Sequence, residues 1–227
     1  MLQKTMTHEE VIKRAHHLGK IAEAGLVEAD ASGGYGNDFK EARHEAGFHR
    51  ILRPKRYGGY GLGHRTMLEA VRTVAQYSVS AGWLTLFMPA HECWVAMLQP
   101  KGREEIFGAD KFVADILYPI GQVTYVEGGL RLSGRWQWGS GIEMCEWIGL
   151  GAIIDLPGDL FGITGGPQPC LATIKVAEGN IIRDWKAFGL NGSGSHSIEV
   201  KDVFVPWYRV CPLAAVQKNA VPIGGEF

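Results

Sequence analysis

The chain has 227 residues, a formal net charge of -1, 46% hydrophobic residues and 21% charged residues. This length fits one large domain or two small ones with a proper core, and the composition is that of an ordinary soluble globular protein. A net charge so close to zero gives no electrostatic case for binding nucleic acid or an anionic membrane.

Targeting and metal signals are weak. No apolar run approaches the roughly 18 residues that a membrane helix needs, and the polar N-terminal segment has no apolar signal-peptide core. The four cysteines form no CxxC pair, which favours reduced thiols in a cytoplasmic protein. Among the eight histidines, His16 and His17 are adjacent, and His44 and His49 stand beside no carboxylate motif. Neither pair makes an HExxH-type site, so no metal site is predicted.

Helical signals fill the first half of the chain. Thr7-His8-Glu9-Glu10 matches a capping box and predicts a helix that runs to about Ala24, followed by a second helix over 39–47. The glycine-rich loop at 51–63 lacks the lysine and hydroxyl pair of a P-loop and is interpreted as a connector. Helical spacing then runs over 64–98, with a break indicated at 78–82 and a start or kink at Pro89, and a last short helix is predicted over 103–107.

Strand signals replace the helical spacing after about residue 111. Frequent Gly, Pro and Asn turns separate short β-branched runs, which favours an antiparallel barrel or sandwich. We therefore predict an α+β protein, with a helical domain over 1–111 and a β domain over 112–212. The predicted strands span 112–116, 122–126, 130–138, 147–155, 170–176, 181–185 and 197–205.

The most informative stretch lies between Gly128 and Trp147. Apolar residues alternate with polar ones from Leu130 onward, and Trp136 and Trp138 continue that period, which predicts that they share one face of a strand. The segment 139–141, Gly-Ser-Gly, ends the pattern and frees the backbone for unusual angles and close approach to a ligand. Two interpretations stay open for this stretch alone: a site for a flat, polar-edged heterocycle, or an aromatic core strand that ends in a tight turn.

Four segments, in order, resemble one protein family. These are Arg-Pro-Lys-Arg-Tyr-Gly-Gly at 53–59, Ser-Ala-Gly-Trp at 80–83 continuing to His91, the stretch 128–141, and the closing segment 184–206. Together they resemble the acyl-CoA dehydrogenase fold, and more closely its two-component flavin-dependent monooxygenases, which hydroxylate aromatic compounds such as p-hydroxyphenylacetate. The segment 114–121 lacks the Thr-Glu-x-x-x-Gly-Ser pattern of the dehydrogenases proper. Asn191 and Ser193 depart from the arginine and threonine that are frequent in the family.

The resemblance implies an oxygenase component. Reduced FMN, with FAD as the alternative flavin, would come from a flavin reductase partner and would react with O2 through a C4a-hydroperoxide to hydroxylate a small aromatic substrate. It also implies a homo-oligomer in the cytoplasm, with 213–227 a linker toward a C-terminal helical bundle that the family has and this chain lacks. The implied catalytic residues are His91 and Ser140, and the implied cofactor-binding residues are Trp83, Trp138, Gly139, Ser140 and Gly141.

Simpler roles remain open for the same residues. Trp83 and Trp138 could be core aromatics, and His91 could be a hydrogen-bonded helix histidine rather than a base with the ordinary pKa of about 6.5. Two other functions also remain: an acyl-CoA dehydrogenase-like FAD oxidoreductase, for which no catalytic carboxylate is evident, and a non-catalytic remnant that acts as a binding or assembly protein.

Overall fold

The computed structural model describes residues 6–158 and 165–217. The chain forms two compact units. The first contains the residues up to Glu92 together with Trp185–Ser195, and the second contains Cys93–Asp184 and the chain from His196. The expected α+β class, with helices first and strands second, is confirmed. The predicted domain bounds remain predictions; residue 111 lies between the last helix of the helical region and the first strand. Of the expected linker over 213–227, residues 213–217 are helical and the rest lies outside the described residues.

The helical region contains six α-helices among the described residues. The first begins as predicted, because the Oγ1 of Thr7 accepts a hydrogen bond from the Glu10 amide at 3.2 Å. Pro89 lies inside the fifth helix without ending it, and a short helix at Leu26–Ser32 was not predicted. The helices are α1 (His8–Ala24), α2 (Leu26–Ser32), α3 (Asn37–Ala46), α4 (His64–Ala75), α5 (Val79–Val95) and α6 (Pro100–Ala109).

A buried ion pair and close glycine contacts hold the first unit together. The guanidinium of Arg53 donates to both carboxylate oxygens of Glu92, at 2.9 and 3.1 Å, and both side chains are almost fully buried. Gly59 allows the loop to fold against this arginine, since a Cβ there would lie 1.8 Å from the Arg53 carbonyl oxygen. The glycine-rich loop therefore carries a structural contact that no other residue could make without moving the backbone.

The second unit is built on a seven-stranded sheet. Its strands are β1 (Val113–Val126), β2 (Gly129–Gly139), β3 (Trp147–Leu156), β4 (Gly166–Lys175), β5 (Asn180–Ile182), β6 (His196–Pro206) and β7 (Val210–Pro212). They lie in the order β5-β6-β2-β1-β3-β4-β7. Every pair among the described strands is antiparallel except β1 with β3, which is parallel and departs from the antiparallel expectation. A short helix, α7 (Leu213–Gln217), follows the last strand.

Strand β1 connects the two halves of this sheet. Its first residues, from Val113, pair with β3, and its last residues, to Val126, pair with β2. The two strands predicted over 112–116 and 122–126 are therefore one strand with an irregular middle. A continuous apolar cluster, with members on both halves of the sheet, forms the core of the unit. Within the part of the chain that the structure describes, no helix combines the length and apolar character that crossing a bilayer requires.

Candidate flavin-binding site

The first wall of the candidate site is the irregular middle of β1. Ile116 pairs with Leu150 and Gly121 with Ala152, so the four residues 117–120 stand against the single residue Gly151 of β3 and leave the ladder. Gly151 of β3 accommodates this excursion, because a Cβ there would lie 2.4 Å from the carbonyl oxygen of Leu117. The excursion exposes the side chain of Tyr118, which is 69% accessible. A large aromatic ring is thus presented on the outside of the sheet.

The second wall is a bulge at the end of β2. Trp136 pairs with Ile198 and Gly139 pairs with His196, so β2 has one residue more than β6 across this step. Trp138 takes up the difference with a left-handed φ of 72°. The extra residue reverses the alternation, so Trp136 is fully buried whereas Trp138 is 68% exposed. The prediction that the two indoles share one strand face is therefore wrong.

The two walls enclose a pocket on the second unit, which we name the strand-end pocket. Its volume is about 640 Å³, within the range of small-molecule sites. Most of its surface comes from apolar and aromatic side chains, with one amide and one guanidinium. The lining residues are Ile116, Tyr118, Ile120, Arg135, Trp136, Gln137 and Trp138.

Trp136 fixes the floor of the strand-end pocket. Its Nε1 donates a hydrogen bond to the Gly151 carbonyl oxygen at 2.9 Å. Its ring lies against two glycines, since a Cβ on Gly121 or Gly134 would come within 2.8 or 2.7 Å of ring carbons. These contacts join β2 to β3 and to the end of the β1 excursion, so both walls of the pocket depend on one buried indole.

The Gly-Ser-Gly segment directly after Trp138 forms a tight turn. Gly141 has a left-handed φ of 65° and precedes a 3₁₀ turn over Ile142–Met144. Its carbonyl oxygen accepts a weak hydrogen bond from the Cys145 thiol at 3.4 Å. Gly139 is buried, and a Cβ there would lie 3.2 Å from the His196 carbonyl oxygen. Ser140 is half-buried between the two glycines, so its position suits a ligand contact at the rim of the turn.

A hydrogen-bonded carboxylate supports the arginine of the pocket. Nη2 of Arg135 donates to Oδ2 of Asp184 at 3.0 Å, and Asp184 also accepts from the Ser197 amide at 3.0 Å and the Ser197 hydroxyl at 2.7 Å. Desolvation raises the pKa of Asp184, but the hydrogen bonds from Ser197 and Arg135 outweigh it and leave this pKa below its ordinary value. The carboxylate is therefore charged at neutral pH and orients the guanidinium.

An ionic cluster lies behind the glycine turn. Oε1 of Glu143, in the 3₁₀ turn, accepts from Nε of Arg183 at 2.6 Å. Nε2 of the buried His196 lies 3.8 Å from Oε2 of the same carboxylate, an ion-pair distance when the imidazole is protonated. Because His196 is also the ladder partner of Gly139, this cluster connects β6 to the turn after β2.

The site residues predicted in the first unit lie on one face of α5. Trp83 meets Phe87 edge to face with ring centroids 4.9 Å apart, and Phe87 stacks on His91 at 5.2 Å. These residues are four apart, so they succeed one another along the helix surface. Trp83 is 38% exposed whereas His91 is 5% exposed. The structure thus aligns Trp83 with His91 in one aromatic row, and it brings Trp138 together with the glycine turn in the second unit.

Comparison with known proteins gives relatives of one kind. No family model matches the chain. The chain is 34% identical over 209 residues to a pigment production hydroxylase of Rhodococcus erythropolis, covering 90% of this chain and 52% of that protein. It is 31% identical to the flavin-dependent monooxygenase oxygenase subunit HsaA of Rhodococcus jostii, covering 82% and 48%. The crystal structure of 3-HSA hydroxylase from Rhodococcus sp. RHA1 superposes with a TM-score of 0.85 at 28% identity, covering 95% and 55%.

In sequence and fold, the chain is a relative of flavin-dependent monooxygenase oxygenase components. The resemblance stated from the motifs is therefore confirmed, and so is the expected fold. The chain spans about half the length of the curated relatives it matches.

The loop that departs from the oxygenase-component pattern has a structural role in this chain. The side-chain oxygen of Asn191 accepts from the Ala187 amide at 3.3 Å, and its Nδ2 donates to the Asp30 carbonyl oxygen. The next amide, of Gly192, donates to the Asp30 side chain at 3.2 Å. Asn191 thus ties the loop to α2 within the first unit.

Several residues around the candidate site of this oxygenase relative escaped the sequence analysis. Tyr118 was not selected because Pro119 next to it indicates a turn. Arg135 was not selected because it fits the polar position of an alternating strand. Phe87 could have been found from its four-residue spacing to both Trp83 and His91. Asp184 carries no local signal, since it meets Arg135 only through the pairing of distant strands.

Proposed function

We propose that this chain belongs to an oxygenase component that uses reduced flavin and O2 to hydroxylate a small aromatic substrate. The strand-end pocket carries the proposal, because it presents an exposed indole on strained backbone beside a glycine turn in a relative of flavin-dependent oxygenases. Residues held at unusual backbone angles cluster at ligand-binding and active sites, and exposed apolar patches mark interaction sites. We favour FMN, with FAD as the alternative.

The residues of the pocket fit a flavin ring. The isoalloxazine is flat and largely apolar with polar edges, and the pocket offers the exposed rings of Trp138 and Tyr118. The Gly139–Gly141 turn follows Trp138 directly in the chain. We assign Trp138, Gly139, Ser140, Gly141 and Trp83 to flavin binding. When bound and reduced, the flavin supplies the electrons that activate O2, and the protein orients the ring and excludes water.

Two side chains are assigned chemical roles. The hydroxyl of Ser140, half-buried between two glycines, would hydrogen-bond the polar edge of the ring and fix its position. His91, buried and stacked on Phe87, would accept a proton from a phenol hydroxyl of the substrate. The stack sets the plane of the imidazole, which helps to position a proton acceptor.

The proposal extends to partners and location. A flavin reductase would supply the reduced flavin, and the working protein would be a homo-oligomer in the cytoplasm. The four cysteines are free thiols, which supports a reducing compartment. Light scattering on the purified chain tests the oligomeric state.

The decisive experiment is an anaerobic titration with reduced FMN, followed by rapid mixing with oxygenated buffer and an aromatic substrate. We expect tight binding, a transient absorbance distinct from that of reduced and oxidised flavin, and a hydroxylated product. Reoxidation at the rate of free flavin would contradict the proposal. Bleaching of bound FAD by an acyl-CoA would favour the dehydrogenase-like alternative, and a folded protein without flavin affinity would favour the non-catalytic one.

A pair of variants locates the site. Trp138→Ala removes the exposed ring of the pocket, so flavin affinity should fall about tenfold or more. Phe204→Ala is the matched control, because Phe204 is also an exposed aromatic of the sheet, at 42%, and does not line the pocket. Equal affinities of the two variants would place the flavin elsewhere.

A further inference from the structure

Arg135 is the one charged side chain among the described residues that line the strand-end pocket. It is an exposed residue of β2 and directly precedes the bulged end of that strand, where Gln137 and Trp138 are also exposed. The remaining lining side chains are aliphatic, aromatic or amide. On this otherwise neutral, largely aromatic surface, the guanidinium is the one group that can form charge-assisted hydrogen bonds to an acidic ligand.

The guanidinium is anchored from one side. Asp184 accepts one hydrogen bond from Nη2 of Arg135, and Ser197 holds Asp184 with two more. Within the described chain the guanidinium of Arg135 makes no other hydrogen bond, so Nε and Nη1 keep their donors for water or a ligand. The side chain of Arg135 is 52% exposed and that of Asp184 is 31% exposed, so solvent reaches both partners of the pair.

An anchored arginine suits recognition of an acid. Its planar fork of donors matches the two oxygens of a carboxylate or phosphate, and a guanidinium that is already oriented loses less side-chain freedom on binding. The ion pair with Asp184 offsets the net charge of Arg135, but the donors that Asp184 does not use can still form charge-assisted hydrogen bonds to an anionic group.

We propose that the strand-end pocket takes a planar aromatic ligand that carries an anionic group, and that Arg135 binds this group. The inference rests on the proposed function, because it assigns ligand chemistry to the same pocket. Two molecules have the required chemistry: a flavin bearing a phosphate, and an aromatic substrate bearing a carboxylate. Arg135 is thus a specificity-determining residue for one of them.

The test compares ligands that differ in one charge. In the first arm, reduced FMN and reduced riboflavin are titrated anaerobically, because they share the ring and differ in the phosphate. In the second arm, 4-hydroxyphenylacetate is compared with its neutral alcohol analogue in the presence of bound flavin. Each arm uses the unmodified chain, Arg135→Gln, Arg135→Lys and the control Arg131→Gln. Arg131 is an exposed arginine of the same strand that pairs with Asp202 and lies outside the pocket.

We expect the acidic ligand of one arm to bind the unmodified chain about 10- to 100-fold more tightly than its neutral partner, the range for a hydrogen bond to a charged group. Arg135→Gln should abolish that ratio, Arg135→Lys should restore part of it, and Arg131→Gln should leave it intact. The arm that responds identifies the flavin phosphate or the substrate carboxylate.

Failure has a distinct signature for each proposal. If the unmodified chain binds flavin but Arg135→Gln changes neither ratio, the role of Arg135 is refuted and the oxygenase function stands. If flavin does not bind, the oxygenase function fails, and the second arm, run without flavin, decides whether the pocket still selects the acid. Absence of binding in both arms overturns both proposals.

Discussion

Trp136 is the residue on which we expect the strand-end pocket to depend most. It is fully buried, donates to Gly151 at 2.9 Å, and packs on Gly121 and Gly134. Trp136→Phe removes the indole N–H and part of the ring while keeping an aromatic core residue. The substitution therefore removes one hydrogen bond and a small buried volume and leaves the other packing contacts in place.

The expected magnitude follows from two losses. Leaving the buried Gly151 carbonyl oxygen without its donor costs about 1–3 kcal/mol. The smaller ring leaves roughly 40 Å³, which at about 24 cal/mol per Å³ adds about 1 kcal/mol. The free energy of unfolding should fall by about 2–4 kcal/mol, and the melting temperature by about 5–15 °C for a chain of this size.

Urea unfolding followed by circular dichroism measures this loss without relying on the substituted fluorophore. Trp138→Phe is the matched control, since Trp138 is 68% exposed and makes no such contact with Gly151. Its unfolding free energy should change by about 0.5 kcal/mol or less. Equal losses for Trp136→Phe and Trp138→Phe would refute the view that Trp136 alone holds the two walls.

Two predictions concern ionisation. The folded pKa of Asp184 lies below its ordinary 3.8, so its contribution is fully present above that pH and is lost as the pH falls through the folded pKa. The melting temperature of Asp184→Asn should therefore converge on that of the unmodified chain only as the pH falls below 3.8; curves that had already converged at about pH 5 would contradict this. Burial raises the pKa of Cys170 to about 12 and that of Cys211 also upward, so both thiols should resist alkylation at pH 8 until the protein unfolds, as peptide mass spectrometry can show. Rapid alkylation of either thiol in the folded state would contradict the burial. Because these folded pKa values exceed the ordinary 9.0, the free energy of unfolding should also decline as the pH rises above about 9.

Local signals were sufficient for the elements whose period is regular. Thr7 predicted the start of α1 because its cap uses only neighbours in sequence, and the buried face of that helix follows from the 3.6-residue spacing. Most strands after residue 111 were also found near their observed bounds, but β1 was predicted as two strands and β7 was not predicted. The parallel pairing of β1 with β3 was not, because the partner of a strand is decided by tertiary packing and leaves no local trace.

The candidate site was harder to predict than the fold. The composition of the Gly-Ser-Gly segment at 139–141 was enough to predict a turn. Trp138 was predicted to bind the cofactor because of the resemblance to the monooxygenase family. Its exposure, however, depends on a bulge defined against β6, and the alternation rule placed it on the same face as Trp136. Arg135 and Asp184 are 49 residues apart, and only the fold brings them into contact.

These errors share a physical origin. Alternation in a strand follows from regular pairing, and the strand-end pocket exists because pairing fails in two adjacent strands. The excursion of β1 at 117–120 and the bulge of β2 at Trp138 each expose side chains that regular alternation would have placed differently. Both irregular segments pack on the buried Trp136, whose contacts are those of an ordinary core residue. The pocket is therefore a local departure from the pattern that a stable core supports, and such departures are expected where a protein binds its ligand.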